Sequence, residues 1–119
     1  MDDRMGAPPR SGWAGLVPEL LVDDIAASLA FWCGLLGFVV AYQRSEQFFA
    51  YLERPEGAQI MLCQRSGRWE TAPLERPYGR GAMFQIHVDA LEPMLSSLSS
   101  AGWPLHAGPR EVWRRLGDR

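Results

Sequence analysis

The stretch from Leu16 to Phe38, LVPELLVDDIAASLAFWCGLLGF, constrains the fold of this chain more than any other. It opens with an apolar run of strand length that ends at Val22. Asp23 or Asp24 follows, and a carboxylate at this point caps a helix by accepting free N–H groups of the first turn. The stretch therefore predicts a strand, a capped helix and a helix end at Gly37, where glycine enters the left-handed region at least cost.

The predicted helix is amphipathic. Its apolar residues at helical spacing are Ile25, Leu29, Trp32 and Leu36, which fall near one stripe. We expect this stripe, including Trp32, to pack against a sheet as part of the core.

Three further strands are predicted directly after the helix. Residues 38–44 and 47–53 are strand-like runs separated by the short polar turn at Ser45 and Glu46, which indicates a hairpin. A Pro-Glu-Gly turn then leads into a strand over residues 58–64. The order in the first half of the chain is thus β-α-β-β-β.

The second half repeats part of this plan. Residues 65–80 have no clean period and are predicted to be a connection, with one helical turn around Leu74. A strand over 82–88 follows, then a cap at Asp89 and a helical stripe, at an offset of 66 residues from the first half. The stripe comprises Leu91, Met94, Leu95 and Leu98. The runs at 103–107 and 111–116 are the candidates for later strands, so at least one strand of a complete repeat is missing.

Length and composition exclude several classes of protein. A chain of 119 residues forms one domain at most, and a net charge of −2 gives no basic face for nucleic acid. No apolar run is long enough to cross a membrane. Cys33 and Cys63 form no disulfide framework and are expected to be reduced thiols, which suits a cytoplasmic location. The Gly- and Pro-containing residues 1–14 are predicted to be a loose leader.

The pattern LVDDIAASLAFWCGLLGF, with the hairpin after it and the second Val-Asp step before a helix, resembles the vicinal oxygen chelate superfamily of glyoxalases, dioxygenases and bleomycin-resistance proteins. The segments WETAPLERPYGRGAMFQIHVD and AGWPLHAGPREVWRRLGD are most similar to the bleomycin-resistance branch. The resemblance implies an α+β fold of paired βαβββ modules that line a cleft. The first module would span residues 15–64, the connection 65–81, and a second, incomplete and C-terminally truncated module 82–119.

Alternation along the strands separates a core face from a cleft face. Between residues 58 and 64, Ile60 and Leu62 share one face, and the other face carries Gln59, Met61 and Cys63. Between residues 82 and 88, the mixed face carries Met83, Gln85 and His87, and in the first strand it includes Glu19. We expect the mixed faces to line the cleft.

The resemblance also implies where a metal would bind. In metal-using relatives a His or Glu stands five residues before the Val of each Val-Asp step, at the positions of Val17 and Met83 here. A third ligand would come from the strand that carries Gln59, Met61 and Cys63. Neither Val nor Met is an ordinary ligand for Zn, Fe or Mn. Because the chemistry of the superfamily depends on a metal, we expect no metal, no cofactor and no catalysis.

The candidate ligand-binding residues offer flat apolar area with a few polar contacts, as pockets for organic molecules do. They are Glu19, Phe49, Tyr51, Gln59, Met61, Cys63, Trp69, Met83, Gln85, His87 and Trp113. Glu19 has three interpretations: a cleft-facing carboxylate, one partner of an Arg pair between modules, or a residue at an exposed edge. The two methionines and Cys63 are also compatible with core packing, and His87 with a structural role.

The sequence therefore predicts non-catalytic binding and sequestration of a bleomycin-type glycopeptide or a similar aromatic small molecule, which would confer drug resistance. Relatives form dimers that share clefts, so the resemblance implies a homodimer. Two alternatives stay open: a metal-dependent glyoxalase- or dioxygenase-like enzyme with ligands in a shifted register, and a truncated paralogue without a ligand.

Overall fold

The structure, a computed structural model, describes residues 6–109. The elements are β1 (Glu19–Val22), α1 (Ile25–Leu29), a π-helical segment (Ala30–Leu35), β2 (Val39–Arg44), a 3₁₀ turn (Ser45–Gln47), β3 (Phe49–Glu53), β4 (Gln59–Gln64) and α2 (Glu92–Ser100). The fold is mixed α+β, and the β-α-β-β-β order predicted for the first half is confirmed. No helix among residues 6–109 is long and apolar enough to span a lipid bilayer.

The first helix begins and ends where the sequence predicted. Of the two candidate caps, Asp24 is the one used: its Oδ1 accepts the N–H groups of Ala26 and Ala27 at 3.0 and 3.3 Å. The helix widens to π-helical geometry in its second half, with the N–H of Leu36 bonded to the carbonyl of Phe31. Gly37 then ends it at a φ of +78°.

The four strands form one sheet in the order β1-β4-β3-β2. β1 runs parallel to β4, whereas the β2–β3 and β3–β4 pairs are antiparallel. A register shift between Val40 and Tyr42 marks a bulge in β2. Because the helix crosses over between β1 and β2, it covers one face of the sheet and leaves the other open.

The core lies between the helix and that covered face. Its buried residues are Phe38, Ala50, Leu52, Ile60 and Leu62, with the helix stripe packed against them. The predicted stripe is thus confirmed, and Trp32 is a core residue whose ring meets Phe38 edge-on at 5.3 Å. Since alternation sends Ile60 and Leu62 into the core, it sends Gln59, Met61 and Cys63 to the opposite face.

The second half of the chain departs from the predicted repeat. Of the elements predicted between residues 82 and 109, the helix α2 alone is formed, and Asp89 does not cap it, because the residue before the helix is Leu91. The expected strands over 82–88 and 103–107 and the helical turn near Leu74 are not formed. A strand exists only when its N–H and C=O groups pair with a neighbour, and no strand within residues 6–109 lies beside these segments. The run at 111–116 lies outside the described residues.

Residues 10–14, which were expected to be loose, are instead held on the open face of the sheet. The N–H of Arg10 donates to both carboxylate oxygens of Glu53, at 2.9 and 3.1 Å. The N–H of Ala14 donates to Gln59 Oε1 at 3.1 Å. No sequence pattern indicates these contacts, because their donors are main-chain N–H groups, which every residue except proline carries.

Candidate ligand-binding cleft

The open face of the sheet forms a cleft of about 560 Å³ beside the connecting segment. Its floor comes from alternate residues of β1, β4, β3 and β2, and its wall comes from the 3₁₀ turn and the start of the connection. The lining residues are Glu19, Tyr42, Arg44, Glu46, Gln47, Phe48, Phe49, Met61, Cys63, Ser66, Arg68 and Trp69. The volume falls within the usual range for small-molecule pockets, about 300–1,000 Å³.

Glu19 belongs to the cleft. It stands opposite Met61 in the parallel β1–β4 pair and is exposed to solvent. Glu19 thus lines the cleft on a strand that is also an outer strand of the sheet, and solvent there spares the carboxylate the cost of burial. An ion pair between Glu19 and an arginine is not formed among residues 6–109.

Cys63 stands opposite Leu21 on the cleft floor, two residues along the strand from the Glu19–Met61 pair, and is half-buried. Burial, and then the negative charge of Glu19, raise the pKa of its thiol. The thiolate is the reactive form of cysteine. Cys63 is therefore a protonated, unreactive thiol at neutral pH, which offers polarizable surface rather than a nucleophile.

An arginine side chain lies over the aromatic rings of the cleft floor. The Arg44 guanidinium lies 5.6 Å from the Tyr42 ring centroid and 5.0 Å from that of Phe49. Stacking of a planar cation on these rings is favourable at such distances. The cleft therefore holds a flat, cation-accepting aromatic surface, and a planar ligand placed there meets both the rings and the guanidinium.

Trp69 lies at the rim of the cleft, in a loop that an arginine–glutamate pair closes. Arg65 and Glu70 form a paired hydrogen bond, at 2.9 and 3.2 Å, that closes residues 65–70 into a short loop. The hydrogen bond from Arg65 lowers the pKa of Glu70, so the pair stays charged at neutral pH. Trp69 has a φ of 68°, a conformation uncommon for bulky residues, and its side chain is 68% exposed. The loop thus presents an indole to the cleft instead of burying it.

The structure brings together about half of the predicted ligand-binding residues. Glu19, Phe49, Met61, Cys63 and Trp69 all line the cleft. A further two share the same sheet face but are buried beside residues 10–14, namely Tyr51 and Gln59.

Three of the predicted residues are not brought to the cleft, because the strand expected to carry them is not formed. They are Met83, Gln85 and His87, all exposed, with Met83 at 94%. His87 lies 3.8 Å from a carboxylate oxygen of Asp89. Trp113 lies outside the described residues.

Several residues that line the cleft were not predicted from the sequence. Those on regular or turn structure are Tyr42, Arg44, Glu46, Gln47 and Phe48, and those on the connection are Ser66 and Arg68. Alternation along β2 would have placed Tyr42 and Arg44 on the cleft face, since both stand opposite cleft-face residues of β3. The connection residues carry no periodic signal and could not have been found this way.

The side chains at the implied metal positions do not fit a metal ion. Val17 carries only hydrocarbon, and Met83 is an exposed thioether outside the cleft. Within residues 6–109, no group of three or more His, Cys, Asp or Glu side chains converges to hold a metal.

The fold places the chain among small mixed α+β proteins with a four-stranded βαβββ sheet, one face of which lines a cleft. The sequence profile of the Glyoxalase/Bleomycin resistance protein/Dioxygenase superfamily matches residues 15–118, and the chain belongs to this superfamily.

Several solved structures are similar to this chain, including two with the following identity and coverage. One is a glyoxalase/bleomycin resistance protein/dioxygenase superfamily member from Vibrio splendidus 12B01, with 35% identity over 71% of this chain and 66% of that chain, and a TM-score of 0.41. The other is integron cassette protein HFX_CASS4 from the mobile metagenome of the Halifax Harbour sewage outfall, with 20% identity over 76% of this chain and 72% of that chain, and a TM-score of 0.48. No curated protein matches.

Proposed function

We propose that this protein binds a planar aromatic small molecule with a cationic tail, of the bleomycin type, and sequesters it without turnover. The observation that carries this proposal is the aromatic cleft with carboxylates beside its rings. Phe49 and Tyr42 form the floor, Trp69 stands at the rim, and Glu19 supplies a solvated negative charge. Such a cleft takes up one planar group of a larger drug.

The polarity of the cleft supports retention of a ligand rather than its conversion. The Cys63 thiol is protonated at neutral pH, since its pKa is raised. Arg44 and Arg68 lie over aromatic rings, Arg68 at 5.3 Å from the ring centroid of Trp69. Each guanidinium group offers a planar surface that stacks on a ring and can orient a bound ligand. In a reducing cytoplasm, where we place the protein, both thiols stay reduced.

The test is a titration with bleomycin followed by tryptophan fluorescence of the full chain. We expect a saturable change in the wild-type protein. Trp69→Ala should weaken binding about 2- to 10-fold, which is the usual loss of one aromatic contact. Trp103→Ala is the matched control, because Trp103 is 51% exposed and packs on Phe31 away from the cleft. A flat titration, or equal weakening by both variants, would contradict the proposal.

A second variant tests the role proposed for charge. Glu19→Gln should weaken binding of the cationic drug and reduce its dependence on salt, because the lost attraction is one that salt screens. Metal analysis of the purified protein addresses the enzymatic alternative: stoichiometric Zn, Fe or Mn would overturn the non-catalytic proposal.

We also propose a homodimer. β1 is an outer strand of the sheet, and an unpaired edge is a template for another strand. A cavity of about 680 Å³ lies along this edge, with apolar lining from Leu74 and the exposed Phe84. A second copy would cover that surface. Light scattering across a range of concentrations should give twice the monomer mass, and a monomer at every concentration would refute the proposal.

A further inference from the structure

Residues 10–14 lie on the part of the open sheet face that does not line the cleft. Gly12, at a φ of +84°, closes a tight turn by donating its N–H to the carbonyl of Pro9 at 3.0 Å. The turn brings the N–H of Arg10 to the carboxylate of Glu53. It also sets Trp13 against the sheet, where its ring meets that of Tyr51 edge-on at 5.4 Å. The segment is seated on the sheet as a bound peptide would be.

Gln59 pairs with the main chain on both sides of Trp13. Its Nε2 donates to the carbonyl of Gly12 at 2.7 Å, and its Oε1 accepts the N–H of Ala14 at 3.1 Å. The Tyr51 hydroxyl donates to the same Oε1. The Gln59 amide thus bonds the carbonyl before Trp13 and the N–H after it. The backbone of a neighbouring antiparallel strand would make the same two hydrogen bonds. The Gln59 side chain is 5% exposed, so it is held in place to hydrogen-bond a peptide backbone.

Glu53 adds a buried acceptor to this arrangement. Its side chain is 5% exposed, and within the described residues its hydrogen bonds come from one donor, the N–H of Arg10. Glu53 thus holds one main-chain N–H of the segment with both of its carboxylate oxygens.

Two stacked tyrosine rings form the aromatic part of the site. Tyr42 and Tyr51 are stacked, with ring centroids 5.1 Å apart and an angle of 16° between the planes. Trp13 stands edge-on to both rings and is still 61% exposed, so it lies on the surface of the pair instead of inside a pocket. An occupant held by one exposed ring and a few main-chain bonds is exchangeable, because none of its contacts requires burial of a large side chain.

We propose that Tyr51, Glu53 and Gln59 form a peptide-binding site that residues 10–14 occupy in cis and that accepts an aromatic-containing peptide segment from another molecule. The site would select a peptide with an aromatic residue whose flanking carbonyl and N–H groups bond Gln59. A further main-chain N–H of the same peptide would bond Glu53. It adjoins the small-molecule cleft through Tyr42 but uses different polar groups, so it does not depend on the function proposed above.

The probe is a labelled, end-blocked synthetic peptide of residues 8–15, PPRSGWAG, added to the full chain and followed by fluorescence anisotropy. In the wild-type protein the cis segment competes at an effective concentration on the order of millimolar. Trp13→Ala weakens that competitor, so the peptide should bind this variant about 2- to 10-fold more tightly than it binds the wild type. Trp103→Ala should bind the peptide as the wild type does.

Two results would overturn the proposal: equal affinity of the peptide for Trp13→Ala and wild type, or equal binding of a peptide in which its tryptophan is replaced by alanine. Hydrogen exchange supplies a readout that does not need the variant. At saturating peptide, the amides of Arg10 and Ala14 should lose protection in the wild-type chain while those of Leu52 and Leu62 keep it. Unchanged protection at Arg10 and Ala14 would contradict displacement even if the peptide bound elsewhere.

Discussion

Glu56 accepts the main-chain N–H of Asp89 at 2.7 Å, and this bond links the β3–β4 turn to the segment that leads into α2. Arg54 completes the link. It donates to both carboxylate oxygens of Glu56, at 2.9 and 3.1 Å, and to the carbonyl of Leu36 at the end of the first helix, at 2.6 Å. One arginine–glutamate pair thus joins the first βαβββ unit to the second half of the chain.

The Arg54–Glu56 pair makes the stability of the protein depend on pH in the acidic range. Hydrogen bonds from Arg54, and then from the N–H of Asp89, lower the pKa of Glu56 from 4.5 to about 2. A lowered pKa contributes stability that is present above the pKa of the unfolded chain and is lost as pH falls through the folded value. The free energy of unfolding should therefore decrease as pH falls from about 5 to about 2.

Glu56→Gln tests this dependence by urea unfolding at several pH values. The variant should be less stable than the wild type at neutral pH, and the difference should shrink below pH ~4.5 as the wild-type contribution is lost. Glu75→Gln is the control, because Glu75 is 76% exposed and pairs with the exposed Arg80. The same pH slope for Glu56→Gln and wild type would show that Glu56 is not the titrating link.

Gly37 is required by both its conformation and its neighbour. Its φ of +78° lies in the left-handed region, and a Cβ there would collide with Nη1 of Arg54. Gly37→Ala should destabilise the protein by about 1–2 kcal/mol from the backbone alone, and further by displacing Arg54. Thermal and urea unfolding measure the effect.

Gly34 is the matched control for that substitution. It lies in the π-helical segment, and a Cβ at this position meets nothing within 4 Å. Gly34→Ala should be neutral or stabilising by up to about 1 kcal/mol, because alanine is the better helix former. Equal destabilisation by the two alanines would show that loss of glycine, and not the position, is responsible.

Leu62 is fully buried at the centre of the sheet. Leu62→Ala should cost about 2–5 kcal/mol, through lost burial and the cavity that it leaves. Leu16→Ala, at a residue that is 83% exposed, should change stability by less than about 0.5 kcal/mol. Similar losses in the two variants, measured by urea unfolding, would disprove the assignment of the core face.

Asp23 and Asp24 are neighbours with different roles. Asp24 caps the helix, so Asp24→Ala should cost about 1 kcal/mol of global stability. Asp23 instead holds the connection: it accepts the Tyr78 hydroxyl at 2.7 Å and Nε of Arg76 at 3.0 Å. The hydrogen bond from Tyr78, with that from Arg76, lowers the pKa of Asp23, so these contacts persist at neutral pH.

Limited trypsin digestion separates the two roles. Asp23→Asn should accelerate cleavage after Arg80, which Gly81 follows, with little change in global stability, because exposed ion pairs contribute little to it. Asp24→Ala should lower the unfolding midpoint without selective cleavage of the connection. Unchanged cleavage of Asp23→Asn would show that the connection is held by other contacts.

The sequence by itself determined the first βαβββ unit. The apolar stripe, the cap at Asp24 and the glycine at residue 37 act within a few residues of one another, so their signals are local and readable. Alternation also assigned Met61 and Cys63 to the open face, because the side-chain period of a strand is fixed.

Only the tertiary structure decided which polar groups meet. The seating of residues 10–14 on Glu53 and Gln59, the link from Glu56 to Asp89, and the loss of the strand at 82–88 all depend on main-chain groups of distant segments. Every residue except proline carries the same main-chain donor and acceptor. A sequence pattern therefore cannot reveal which of them a buried side chain will bind.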